Sequence, residues 1–260
     1  PEGEVRHAAA LNLKNVAKFL PKSLLINRLI PYVKLLAKDS LDHVRIALAS
    51  IICDLSPILG KADTIEHLLP LLLQLLRDST SSVRLNIIST LDCMNEVVGI
   101  DYLSQALLPA ILELAKDSKW RVRLAIIQHV PLLAEQLGQE FFNEQLSQLC
   151  MEWLSDDIHS IRIAATKNLQ SLAVMFGEEW AITNILPQIE LMCKDANHLK
   201  RMTALYTLSA FVEAFNEENT AEQICPLVIS LIEDKVPNVR LTVARTLEKI
   251  GKGGNIPSRE

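Results

Sequence analysis

The sequence predicts an all-α chain, an α-α superhelix of stacked helical hairpins, and three observations carry that prediction. Apolar residues recur at helical spacing in every segment, and strand-like alternation occurs in none. Several residue columns repeat with a step of 39 along nearly the whole chain. The composition is 49% hydrophobic but only 5% aromatic, so the core must be mainly Leu, Ile, Val and Ala, of which Leu and Ala favour helices.

The columns set the register. Arginine stands at 6, 45, 84, 123, 162, 201 and 240; aspartate at 39, 78, 117, 156, 195 and 234. Proline recurs at 31, 70, 109, 187 and 226, with Gln148 in the gap, and glycine at 60, 99, 138 and 177, with Pro21 and Asn216 in register at either end. Two apolar columns run Leu13, Ile52, Leu91, Val130, Leu169, Leu208, Leu247 and Val16, Leu55, Met94, Leu133, Leu172, Phe211, Ile250.

In chain order, this register gives a lone second helix over 1–21, hairpins over 22–60, 61–99, 100–138, 139–177, 178–216 and 217–251, and a tail, 252–260. The whole reads as one solenoid fragment, because a two-helix unit with several apolar faces cannot bury them alone. The opening "EVRHAAALNLKNVAKFL" fits a second helix whose partner lies upstream, and the expectation is a piece of a longer solenoid. Within 100–138, Leu107, Ile111 and Leu114 mark the first helix, "KDSKW" the turn, and Val122, Ile126, Val130 and Leu133 the second. Gly138 is expected to end it as a left-handed cap. The prolines should kink each first helix, and the Ser82, Ser160 and Asn238 positions should cap the second helices. Tyr102, Phe141 and Trp180, just past the glycine column, are expected to staple onto the next helix. A 39-residue step lies near the two-helix HEAT class, and the tetratricopeptide W-x2-L-G signature is absent.

Residues repeated in every unit do what every unit needs. Asp39, Arg45, Asp78, Arg84, Asp117, Arg123, Asp156, Arg162, Asp195, Arg201, Asp234 and Arg240 are therefore expected to form a structural ladder of arginine, aspartate and loop carbonyls. Trp120 differs: its column reads Asp42, Ser81, Trp120, His159, His198, Pro237 and does not recur. Between Lys119 and Arg121 it is expected to be an exposed protein-binding anchor.

A net charge of −5 with pI near 5.8 argues against general nucleic-acid or anionic-membrane binding. The longest apolar run, "HLLPLLLQLL", is too short to span a bilayer. Five cysteines without C-x-x-C spacing read as thiols of a reducing compartment, cytosol or nucleus. No catalytic constellation emerges, so no enzyme, cofactor or metal is expected. His159 and His198 share a column, but stacked helices about 8–10 Å apart cannot bring both to one zinc. A di-iron hydroxylase of HEAT type would need His-Glu dipeptides, which are absent, and "GKGGN" lacks the phosphate-loop pattern. His7, His67 and His129 read as helix-boundary groups.

The stretches "VRLNIISTLDCMNEVVGI", "LSQALLPAILELAKDSKWRVRLAII" and "PLLAEQLGQEFFNEQLSQLCMEWL" resemble the later HEAT repeats of the scaffolding (A-type, or structural regulatory) subunits of protein phosphatase 2A. The likeness runs from about Glu4 to Ile250 and is strongest from Ile58 to Leu154. It implies a non-catalytic scaffold that holds the phosphatase catalytic subunit on its intra-repeat turns and brings it to regulatory B-type subunits. By position it assigns the contacts to Lys119, Trp120 and Arg121, then Ile158 and His159, Asn197 and His198, and Val236 and Asn238. The chain departs from that family at His198, where an aromatic is usual, and in "GKGGNIPSRE"; within the chain itself, Lys200 stands where the other units have Val or Ile. A HEAT adaptor or transport-receptor-like protein, binding peptides or cargo on its concave face, is the alternative.

Overall fold

The computed structural model describes residues 2–252, the side chains of Ile100, Asp101, Ser104 and Gln136 apart; the tail from 253 onward lies outside the described residues. Among these residues every regular element is helical. They form two compact units with the boundary between Ile126 and Ile127, inside helix Trp120–Phe141.

In the first unit, second helices stack in sequence: Gly3–Ala17 packs on Asp42–Asp63, which packs on Ser81–Ile88 and Leu91–Val98. The first helices Ile30–Leu36 and Leu69–Leu76 close the hairpins, and Leu69–Leu76 also meets Ile100–Leu114. In the second unit, His159–Phe176, His198–Phe211 and Pro237–Gly251 stack in the same manner, each paired with its first helix. The apolar columns supply both cores. Ile52, Leu55 and Met94 in one, and Leu169, Leu172, Leu208 and Phe211 in the other, are fully buried. Each such side chain contributes about 1.5–3 kcal/mol. Leu13, Leu247 and Ile250 are only half-buried and Val16 is exposed.

Residues 42–76 run as successive helical segments broken at Gly60, a stretch long and apolar enough to cross a membrane by length and composition. Half of its most apolar window is buried against the protein, as expected of a core helix.

Four local expectations are corrected. The glycines do not form left-handed α caps: Gly60 (φ 75, ψ 174), Gly99 (φ 87, ψ 146), Gly138 (φ 84, ψ 173) and Gly177 (φ 93, ψ 161) lie in the extended region at positive φ that is open essentially to glycine alone. This conformation turns the chain from one hairpin into the next within a single residue. Pro21 and Asn216, in the same column, keep the extended ψ at negative φ.

The prolines do not simply kink a helix. π-helical turns at Leu25–Leu29, Thr64–Leu68 and Thr220–Ile224 precede Pro31, Pro70 and Pro226, so each proline opens a fresh α-segment where its missing N–H costs little. Phe142–Leu146 makes the same turn ahead of Gln148, and Pro109 stays inside Ile100–Leu114.

Ser82, Ser160 and Asn238 are not N-caps but lie one residue inside their helices, which begin at Ser81, His159 and Pro237. The staple expectation is met at Trp180, which is buried with Nε1 donating to Asn143 Oδ1 at 2.9 Å and its ring against Phe142 and Phe176. Phe141 is half-buried and Tyr102 exposed, so the position alone does not dictate packing. Finally, not all cysteines are thiols: Cys53 and Cys93 are disulfide-bonded, while Cys150, Cys193 and Cys225 are free.

Candidate functional site

The turns between the two helices of each hairpin share one hydrogen-bond scheme. The aspartate accepts the N–H two residues on: Asp39 Oδ1 from Leu41, Asp78 from Thr80, Asp117 from Lys119, Asp156 from Ile158, Asp195 from Asn197 and Asp234 from Val236. The arginine six residues on closes the turn from the other side. Arg45, Arg84, Arg123, Arg162, Arg201 and Arg240 each donate Nη1 to the carbonyl of their own unit's aspartate at 2.6–2.8 Å.

The same arginines reach forward. In the first unit Arg6 pairs with Asp39, Arg45 with Asp78 (Nε–Oδ2 2.7 Å, Nη2–Oδ1 3.0 Å) and Arg84 with Asp117 (2.9 Å). In the second, Arg201 grips Asp234 at 2.6 and 2.9 Å. The rung into Asp195 is different: Lys200, the residue that interrupts its column, places Nζ 3.0 Å from Asp195 Oδ2, while Arg162 donates to the carbonyls of Asp156 and Asp157. Column breaking was the only sequence sign of that substitution.

These contacts set the acidities. The Arg6 hydrogen bond brings the Asp39 carboxyl down to about 2, against a smaller upward push from burial. Arg201 likewise holds Asp234 below the usual carboxylate range. Asp195 is lowered first by the Asn197 amide and then by Lys200.

With the turn backbone occupied by this scheme, several side chains two to four residues past the aspartates remain exposed or half-buried at the turn. Past Asp117 these are Lys119, Trp120 and Arg121. Lys119 and Arg121 are exposed, but Trp120 is half-buried rather than fully exposed, because the Arg121 guanidinium lies over its ring, 4.4 Å from the centroid. A cation–π contact of this kind contributes about 0.5–1 kcal/mol at an exposed site. In the second unit His159, Asn197, His198 and Asn238 are exposed, and Ile158 and Val236 half-buried. Asn197 also caps its helix by accepting Leu199 N–H. His159 meets Tyr206 edge-on at 6.4 Å, a neighbour that sequence register did not reveal. Gln128, His159, Ser160, Ile163, Lys167 and Asn168 line an open groove beside it.

Among the described residues one donor group is close enough to share a metal ion. Asp63, Glu66 and His67 bring ligand atoms within 4.8 Å, but Lys22 Nζ already sits 2.5 Å from Asp63.

Comparison with known proteins agrees with this repeat scheme. A family model described as PPP2R1A-like HEAT repeat matches residues 1–60, and the HEAT repeat model matches 68–98, 107–137 and 224–254. The beta isoform of the 65 kDa A-type regulatory subunit of Homo sapiens serine/threonine-protein phosphatase 2A is 54% identical over 59 residues, which is 21% of this chain and 10% of that protein's length. Among solved structures, Cex1p superposes with a TM-score of 0.65 at 17% identity, over 92% of this chain and 50% of Cex1p. Importin beta superposes at 0.62 and 15% identity, over 96% of this chain and 34% of importin beta. At those identities the structural likeness speaks to the fold.

Proposed function

Because the chain belongs to the HEAT-repeat family, we propose that it is a non-catalytic scaffold of a serine/threonine protein phosphatase. It holds the catalytic subunit through its intra-repeat turns and brings it to regulatory B-type subunits, in the cytosol or nucleus. The observation that carries this reading is the Lys119, Trp120, Arg121 turn, whose backbone is fixed by Asp117 and Arg123 and whose side chains are left to a partner. The partial match to a 65 kDa regulatory subunit of phosphatase 2A supports the choice of partner.

Such a scaffold contributes proximity rather than chemistry: two bound proteins meet at a raised effective concentration. Tryptophan and arginine are the residue types enriched at binding hot spots, and here they are paired on a rigid turn. Calorimetric titration of the chain with purified phosphatase catalytic subunit tests the reading. Trp120→Ala is expected to weaken binding at least about tenfold with little change in helicity. Binding that is indifferent to Trp120 but lost on changing Lys167 or Gln128, groove residues outside the turn row, would favour a peptide- or cargo-binding adaptor instead.

A further inference from the structure

The second helices of neighbouring repeats in the first unit are joined covalently. Cys53 lies in Asp42–Asp63 and Cys93 in Leu91–Val98, with Cα atoms 5.8 Å apart, inside the range that a disulfide spans without moving backbone. The residues are one position off the 39-residue register, since the residue in Cys53's own column is Asp92. This stagger is what brings the two sulfurs together across adjacent helices. Both cysteines are only half-buried. Cys150 and Cys193, by contrast, are buried, and burial pushes their thiols up to about 12 and about 11.

We propose that Cys53 and Cys93 form a reversible redox clamp between the repeats 22–60 and 61–99. In a solenoid each repeat touches only its neighbours, so the interface between two second helices is a compliant coordinate of the stack. A cross-link across it restricts how far those helices can separate. The inference stands independently of the phosphatase reading.

The chemistry is thiol–disulfide exchange with a low-molecular-weight disulfide such as glutathione disulfide. One cysteine thiolate attacks it, forming a mixed disulfide and releasing one small thiolate. The second cysteine thiolate then attacks the protein sulfur, forming the Cys53–Cys93 bond and expelling the second small thiolate. Two protein thiols are oxidised, one small disulfide is reduced to two thiols, and the two protons pass from the cysteines to the leaving thiolates. A reducing dithiol reverses both steps.

The test uses the whole chain, equilibrated natively in glutathione buffers of increasing oxidation, quenched with N-ethylmaleimide and mapped by mass spectrometry. The expected result is a Cys53–Cys93-linked peptide whose fraction rises with oxidation and disappears on adding dithiothreitol, while Cys150 and Cys193 are labelled only after unfolding. Recovery of Cys53 and Cys93 as separate thiols, or as glutathione adducts, at every ratio overturns the proposal. Hydrogen exchange then tests the mechanical part: amides of 42–63 and 91–98 should exchange at least about tenfold more slowly in the oxidised chain than in the reduced one. Cys53→Ser should match the reduced wild type in both buffers. Identical exchange of the oxidised and reduced wild type removes the clamp even if the bond forms.

Discussion

Replacing Arg201 by Met, and separately Arg77 by Met, asks whether burial or geometry decides the worth of an arginine–carboxylate pair. Both arginines grip their partners with two bonds: Arg201 to Asp234 at 2.6 and 2.9 Å, Arg77 to Glu113 at 2.7 and 3.0 Å. Their surroundings differ. The side chains of Arg201 and Asp234 are 7% and 6% exposed; those of Arg77 and Glu113 are 48% and 57% exposed. Arg201→Met also removes the donor to the carbonyls of Asp195 and Ala196. Deleting one member of a buried pair costs about 3–5 kcal/mol, and the turn's access to water points to the lower end, about 3 kcal/mol. Because a solenoid can open locally, the readout is amide exchange in 198–211 and 237–251, where that cost corresponds to roughly a hundredfold acceleration. Arg77→Met should leave the exchange of its own turn unchanged within error. The double variant Arg201→Met/Asp234→Leu should recover part of the loss, since it leaves no orphaned carboxylate. If Arg201→Met accelerates exchange no more than Arg77→Met does, the ladder is ornament and the reasoning fails.

Further outcomes follow from other positions. Leu208→Ala, at a fully buried core position, should cost about 2–5 kcal/mol, read as loss of exchange protection in the helices it joins. Gly60→Ala meets nothing within 4 Å, so its whole cost is the positive φ, about 1–3 kcal/mol, measurable as a lowered melting temperature. Acid titration should reveal Asp39: its carboxyl sits at about 2 when folded and near 3.9 when unfolded, so its contribution is complete above about pH 4 and disappears as pH falls through about 2. Arg6→Met should flatten that limb of the stability–pH curve.

Much of the architecture was legible because a repeat protein carries its own alignment. Columns such as Ile52, Leu91, Leu169 and Leu208 repeat because each must meet the same neighbour, and each is buried. What the columns could not give was local conformation. Glycine announces a positive φ but not its ψ, and proline announces a lost donor but not the π turn that precedes it. A cross-link between residues one position out of register is invisible to any search that assumes the register. The candidate surface was legible only as composition: Trp120 was found by its failure to recur, while its half-buried state depends on where the Arg121 chain folds, and Tyr206 reaches His159 from the next hairpin.

The rungs have one more consequence. Arg45 reaches 33 residues ahead to the carboxylate of Asp78 and six residues back to the carbonyl of Asp39, so a single side chain spans the full distance between equivalent points of adjacent hairpins. It therefore acts as a gauge of length. Gaining or losing a whole hairpin preserves that spacing, whereas adding or removing a few residues within a turn strands an arginine on one side and an aspartate on the other.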